Sequence, residues 1–187
     1  VQHTDGPGGI NKNGHGEVWQ ADGNARMSKT FMDWMKDDPR LTVLAQRTSD
    51  GSNAVADLIG MPNGSTGATV SDTSIYAEPN RNVITGRDAP MVFQTYAEVR
   101  LLKAEMAFRG WSVPGDAKTH YEAGVKAAMQ MLGTIYPKTT PITDAQVADY
   151  LAAKPYDASK GWEMISEQYW AATLLNEYES YNNWRRT

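Results

Sequence analysis

The chain has 187 residues, a formal net charge of −4 and no cysteine. That length suits one domain with a sizeable core, or part of a larger one. The slight acidity, with no block of Lys or Arg, argues against a phosphate-binding groove and so against nucleic acid. Lack of cysteine excludes disulfides, thiolate nucleophiles and Cys-based metal sites.

In chain order, residues 1–24 are rich in Gly and Asn and read as a long loop, the kind that forms a binding surface, with Trp19 as its one large aromatic. Ser28 is placed to N-cap a short helix over Lys29–Lys36, with Phe31, Trp34 and Met35 on its inner face. Pro39 ends it by pushing Asp38 out of the helical region. Leu41–Gln46 reads as a short strand or extended segment. From Thr48 to Asp88 periodicity fails, and irregular chain with at most short strands is expected, for example at Val83–Thr85.

The strongest pattern runs from Tyr96 to Leu132. Ala97, Leu101, Ala104 and Phe108 mark one helical face, and Tyr121, Val125, Ala128 and Leu132 repeat the spacing. Gly110 suits a left-handed C-cap and Asp116 an N-cap. The short break between them makes an antiparallel pair. Ala117, Gly124 and Ala128 form a stripe of small residues for close helix contact, which explains a glycine in mid-helix that costs ~1 kcal/mol against alanine. Ala104, Ala117, Tyr121 and Gly124 fit the small–aromatic–small signature of one tetratricopeptide pair. One pair cannot bury its own face, so more helices must stack on it. Thr143 and Gln146 form a capping box for a helix from Asp144 to about Ala152. A long final helix is expected from Asp157 or Ser159 to roughly Asn183. Its two apolar stripes are Trp162, Ile165, Tyr169, Ala172 and Trp170, Leu174, Tyr178, Tyr181. The whole is expected to be one mainly α domain, 1–187, with a loop-rich part over 1–90 holding one short helix and a helical part over 91–187. No apolar run is long enough to span a bilayer as a helix. The sequence starts at Val1 without Met or a basic leader and stops within a helical pattern. A portion of a longer protein is therefore expected.

These residues carry a resemblance. Tyr96-Ala97-Glu98-Val99-Arg100-Leu101-Leu102-Lys103-Ala104-Glu105 with Arg109-Gly110-Trp111 resembles the core motif of the SusD/RagB family. Tyr121-Glu122-Ala123-Gly124-Val125 is similar to that family's next helix. Ile165, Gln168, Tyr169 and Trp170 with Trp184-Arg185-Arg186-Thr187 resemble its terminal signature. Ser28-Lys29-Thr30, Asp38-Pro39-Arg40-Leu41 and Gly60-Met61-Pro62-Asn63-Gly64 fit the pattern upstream. The resemblance implies tetratricopeptide-like pairs in an α–α superhelix with long irregular loops. It further implies a surface-exposed outer-membrane lipoprotein of polysaccharide utilisation, its lipid anchor outside this chain. Such a protein binds oligosaccharide and passes it to a SusC-like TonB-dependent transporter.

The candidate chemistry is sparse. Glu98 and Glu105 share a helix face but stand roughly 10.5 Å apart by helical rise, and Glu105 has Arg109 one turn on. Glu163 and Glu167 are one turn apart, as two solvated carboxylates commonly are. No serine lies in a nucleophile motif, and no catalytic residue is assigned. The three histidines lack metal-ligand spacing, the Asn11, Asn13, Glu17 loop lacks the order of a calcium loop, and no metal or cofactor is expected. Sugar binding needs an aromatic face with polar neighbours on loops. That selects Trp19 and Tyr76, with Asn80 and Arg81 and, around them, Asn24 and Asp72. Trp111 is assigned to the scaffold, and Trp34, Trp162, Trp170 and Trp184 to the core. The alternatives are a helical protein-binding scaffold without a sugar site, and a glycan-processing enzyme using Glu163 or Glu167.

Overall fold

The structure, a computed structural model, describes residues 3–4, 11–21, 25–65 and 69–187. Its described residues are mainly helical, with one two-stranded sheet. They divide into two compact units. One comprises residues 1–91 and 133–140, the other 92–132 and 141–187.

The first unit contains α1 (Gly14–Ala21), α2 (Lys29–Trp34) and α3 (Leu41–Leu44). Its strands are β1 (Ala45–Arg47) and β2 (Ala77–Pro79). Among the described residues three α-helices and a 3-10 turn, Val55–Asp57, therefore stand where the sequence suggests one short helix. α2 begins as expected, with the Ser28 hydroxyl accepting from the Phe31 N–H at 3.2 Å. Of Leu41–Gln46, expected as a short strand or extended segment, Leu41–Leu44 form a single helical turn and Ala45–Gln46 open β1. The strand expected at Val83–Thr85 is a turn, because the Asn80 carbonyl collects the N–H groups of Val83, Ile84 and Thr85. The true partner of β1 is β2, antiparallel, with Gln46 opposite Glu78. Phe31, Met32, Met35, Leu41, Leu44 and Ile84 are among the buried apolar side chains of this unit.

The second unit holds α4 (Tyr96–Phe108), α5 (Ala117–Ile135, its last turn reaching into the first unit), α6 (Asp144–Ala153), α7 (Gly161–Ala172) and α8 (Glu177–Arg186). Local chemistry defines most of these ends. Thr95 and Glu98 make one capping box and Thr143 and Gln146 another. Asp116 accepts from the Thr119 N–H at 2.7 Å, and Gly110 takes φ +74° just past α4. Leu101 of α4 meets Gly124 of α5, each as far from the connecting turn as the other, so the pair is antiparallel. The close neighbour of Gly124 is thus α4 itself. α4 also packs on α7, and α7 on α8. Glu105 ties the ends together, accepting from Arg109 Nε at 3.0 Å and Arg186 Nε at 2.9 Å.

The single long final helix is broken. Thr173 returns its hydroxyl to the Tyr169 carbonyl at 2.8 Å, Leu175 turns to φ +68°, and Asn176 caps a new helix through Glu179. A hydroxyl offering the backbone another partner competes with helix continuation. The break ends the second apolar stripe, so Tyr178, Tyr181 and Trp184 are exposed, Trp184 by 74%. Trp184 is therefore not a core residue.

Glu98 is buried, and this desolvation raises its pKa against the opposing hydrogen bonds from Thr95. A carboxylate with a raised folded-state pKa contributes stability below its unfolded value, and that contribution is lost as pH rises through the folded value. Glu98→Gln keeps the accepting oxygen without the charge. Urea midpoints taken at pH 4 and pH 7 are expected to shift in favour of the variant at the higher pH. A gap that stays constant would sink this reading.

Candidate functional site

The candidate residues lie in the first unit. Tyr76 immediately precedes β2, and Asn80 and Arg81 immediately follow it, so one short strand brings three of the four together. Tyr76 is half-buried, and its carbonyl accepts from the Thr48 hydroxyl at 2.8 Å. Its own hydroxyl makes no hydrogen bond among the described residues. Asn80 is buried; its Oδ1 accepts from the Asn82 N–H at 3.0 Å and its N–H donates to Leu44. Its side chain thus holds the turn that presents Arg81.

Arg81 donates to Glu78 Oε2 at 2.6 Å, and Gln46 Nε2 donates to Glu78 Oε1 at 3.1 Å. Glu78 is only 1% exposed, so these donors satisfy a carboxylate that burial would otherwise penalise. Gln46 Oε1 accepts from the Arg81 N–H at 3.1 Å, closing the network. Arg26 stands close by, bonded through Nε to the Thr73 carbonyl at 2.8 Å. Burial lowers its pKa, opposed by the Glu78 charge and reinforced by Arg81. Two guanidiniums thus flank one buried carboxylate beside Tyr76. Sequence reasoning missed Arg26 because it is 50 or so residues away in the chain, with no local signal. The Ser74 hydroxyl and the Ser74 N–H, the latter at 2.8 Å, hold the Asp72 carboxyl below its usual range. Asn24 lies outside the described residues.

Trp19 is on α1, not on a loop. Asn13 explains the helix: its Oδ1 accepts from the Gly16 N–H at 3.2 Å, and its Nδ2 donates to the Ala89 carbonyl at 2.8 Å. A Cβ on Gly16 would come within 2.7 Å of the Gly86 carbonyl oxygen, so glycine is needed for the approach. Glu17 adds an ion pair to Arg87 at 2.7 Å. The Asn13 and Glu17 side chains therefore serve to seat α1. Trp19 is half-buried, and no hydrogen bond, ion pair or ring contact joins it to the Tyr76 cluster among the described residues.

The carboxylates of α4 are taken up structurally, Glu98 by its cap and Glu105 by two arginines.

A family profile described as "starch-binding associating with outer membrane" matches residues 10–187. The chain belongs to the SusD-like family. Among solved structures, a chitin-binding protein is 29% identical, with a TM-score of 0.81 over 95% of this chain and 41% of its own. A chitin-binding SusD homologue from Flavobacterium johnsoniae is 21% identical, with a TM-score of 0.75 over 95% of this chain and 40% of its own. A SusD-like protein from Bacteroides thetaiotaomicron is 23% identical, with a TM-score of 0.71 over 96% and 41%. The last two likenesses show the SusD-like fold alone. No curated protein matches the chain. The SusD-like chain spans about two fifths of the length of these solved relatives.

Proposed function

We propose that this SusD-like protein binds an oligosaccharide at the outer-membrane surface, without cleaving it, and passes it to a TonB-dependent transporter of the SusC type. The observation that carries the reading is the likeness to a chitin-binding protein over 95% of the chain at 29% identity. The Tyr76 ring supplies an apolar face, and Arg81 with Arg26 supplies donors for sugar hydroxyls. Asn80 acts by shaping the turn that carries Arg81, and Trp19 offers a second aromatic face on α1. A lipid anchor outside this chain would hold the protein to the membrane.

The test is calorimetry of the full-length protein with an oligosaccharide panel. Trp19→Ala and Tyr76→Ala are each expected to weaken binding about tenfold, equivalent to ~1.4 kcal/mol. Full affinity in both variants would remove these residues from the site. A second reading, a helical scaffold for protein partners, is favoured by the exposed Tyr178, Tyr181 and Trp184 on α8. Capture of the transporter by a protein that binds no glycan would select it.

A further inference from the structure

A cavity of about 310 Å³ lies in the first unit, between the 83–90 segment and the turn that follows α5. This is the lower end of the range of ~300–1,000 Å³ typical of ligand pockets. Its lining is divided by chemistry. Val83, Pro90, Ile135 and Pro137 are its apolar lining, and Asp88 and Lys138 its charged lining.

The polar side is electrically matched. Lys138 Nζ donates to both oxygens of Asp88, at 2.8 and 2.7 Å. The ammonium holds the Asp88 carboxyl below its ordinary pKa, so it is ionised at neutral pH. Both side chains remain about half exposed, which leaves lone pairs on the carboxylate for a ligand donor.

Two polar groups in the lining lack partners. Tyr136 is half-buried, and this desolvation pushes its pKa up to about 12 and keeps the phenol a neutral donor. Its hydroxyl has no hydrogen-bond partner among the described residues. His3 Nδ1 faces the Asn11 carbonyl at 3.0 Å, so it carries the proton, and Nε2 is left as a buried acceptor with no partner among the described residues. Polar groups so placed are ordinarily satisfied, by water or by a ligand.

The ligand class follows from these walls. An anionic sugar is disfavoured, because the lysine is already committed to Asp88 and a second anion would meet that carboxylate. A plain polyol leaves the Val83, Pro90 and Pro137 side without an apolar counterpart. An acetamido group has all three features. Its methyl suits the apolar wall, its N–H can donate to Asp88, and its carbonyl can accept from Tyr136. We propose that this cavity is a subsite for a 2-acetamido-sugar unit, with Asp88 and Tyr136 reading the amide. The assignment rests on the glycan-binding reading above and adds to it the residues that would select one sugar class.

The test compares chito-oligosaccharides with cello-oligosaccharides of equal length, by calorimetry on the full-length protein. The wild type is expected to prefer the acetamido series by at least ~10-fold. Tyr136→Phe and Asp88→Asn, both close in shape to the original, are each expected to erase most of that preference. Trp19→Ala should weaken both series alike. Saturation-transfer NMR is expected to show the acetyl methyl as the most strongly contacted group in the wild type and less so in Tyr136→Phe. Equal wild-type affinity for the two series, or a preference that survives both variants, overturns the subsite and leaves glycan binding standing. Binding of neither series overturns both.

Discussion

Replacing Asp38 with alanine is expected to cost about 3–5 kcal/mol of unfolding free energy, the usual result of removing one partner from a buried ion pair. The side chains of Asp38 and Arg40 are each 1% exposed. Arg40 Nε donates to Asp38 Oδ1 at 2.9 Å and one terminal nitrogen donates to Oδ2 at 2.5 Å, a bidentate clamp. Oδ1 also accepts from the Arg40 backbone N–H at 2.9 Å, so the carboxylate shapes the turn between α2 and α3 as well as neutralising the charge. Without it the guanidinium stays in the interior and loses both bonds to the carboxylate, because Arg40 begins the turn that leads into β1. The whole protein is held by ~5–15 kcal/mol, so this single change takes a large share. The double variant Asp38→Leu/Arg40→Met removes both charges and is expected to be more stable than Asp38→Ala alone. Urea unfolding followed by far-UV circular dichroism reads both. A loss below about 1 kcal/mol for Asp38→Ala would mean that water reaches Arg40 and the pair is not a buried one.

The same pair shows what a sequence can disclose. Pro39 marks the end of α2 from local sterics, and that is visible in three letters. That Asp38 and Arg40 then turn inward together is not visible, since it depends on what closes over them. The helix ends at Ser28, Gly110, Asp116 and Thr143 were legible for the first reason. Each is a contact between residues within about four positions of each other, and the residue types are narrowly chosen. The break at Thr173–Asn176 was missed because apolar spacing continues through it. Only the left-handed Leu175 and the hydroxyl of Thr173 interrupt it, and neither residue type is a reliable punctuator. The helix α1 was hidden by its own glycines. Gly14 and Gly16 read as loop, whereas Gly16 is present so that α1 can lie against Gly86 and Arg87.

The candidate site was legible in part. Tyr76, Asn80 and Arg81 are near in sequence, so their clustering around β2 could be anticipated. Their division of labour could not, because Gln46, on a strand more than thirty residues away, both donates to the Glu78 carboxylate and accepts from the Arg81 N–H. The acetamido subsite is more remote still, since its ion pair joins residues fifty positions apart. No periodicity or motif records such a pairing.

Shortening Leu101 to alanine is the second large effect, an expected loss of about 2–5 kcal/mol from the helical unit. Leu101 has no exposed surface, and its side chain fills the notch left by Gly124. A Cβ built on Gly124 would lie 2.7 Å from Leu101 Cγ and 2.8 Å from Cδ2, well inside contact distance. Gly124→Ala therefore brings two opposing terms. Alanine gains ~1 kcal/mol in helix propensity, and the overlap with Leu101 costs ~1–3 kcal/mol. The net for that variant alone is a small loss, because the branched end of Leu101 can shift but the backbone N–H of Leu101, 3.3 Å away, cannot. In the double variant the overlap with the Leu101 side chain is gone, only the 3.3 Å approach of its N–H remains, and the new methyl occupies part of the cavity, so most of the helix gain is realised. Leu101→Ala/Gly124→Ala is expected to be more stable than the sum of the single losses by ~1–2 kcal/mol. Thermal unfolding of the four proteins closes the cycle. Additive losses would show that α4 and α5 adjust their separation freely, and the glycine at that position would then need another cause. A positive coupling means that the small residue in the repeat signature is there for one leucine on the facing helix.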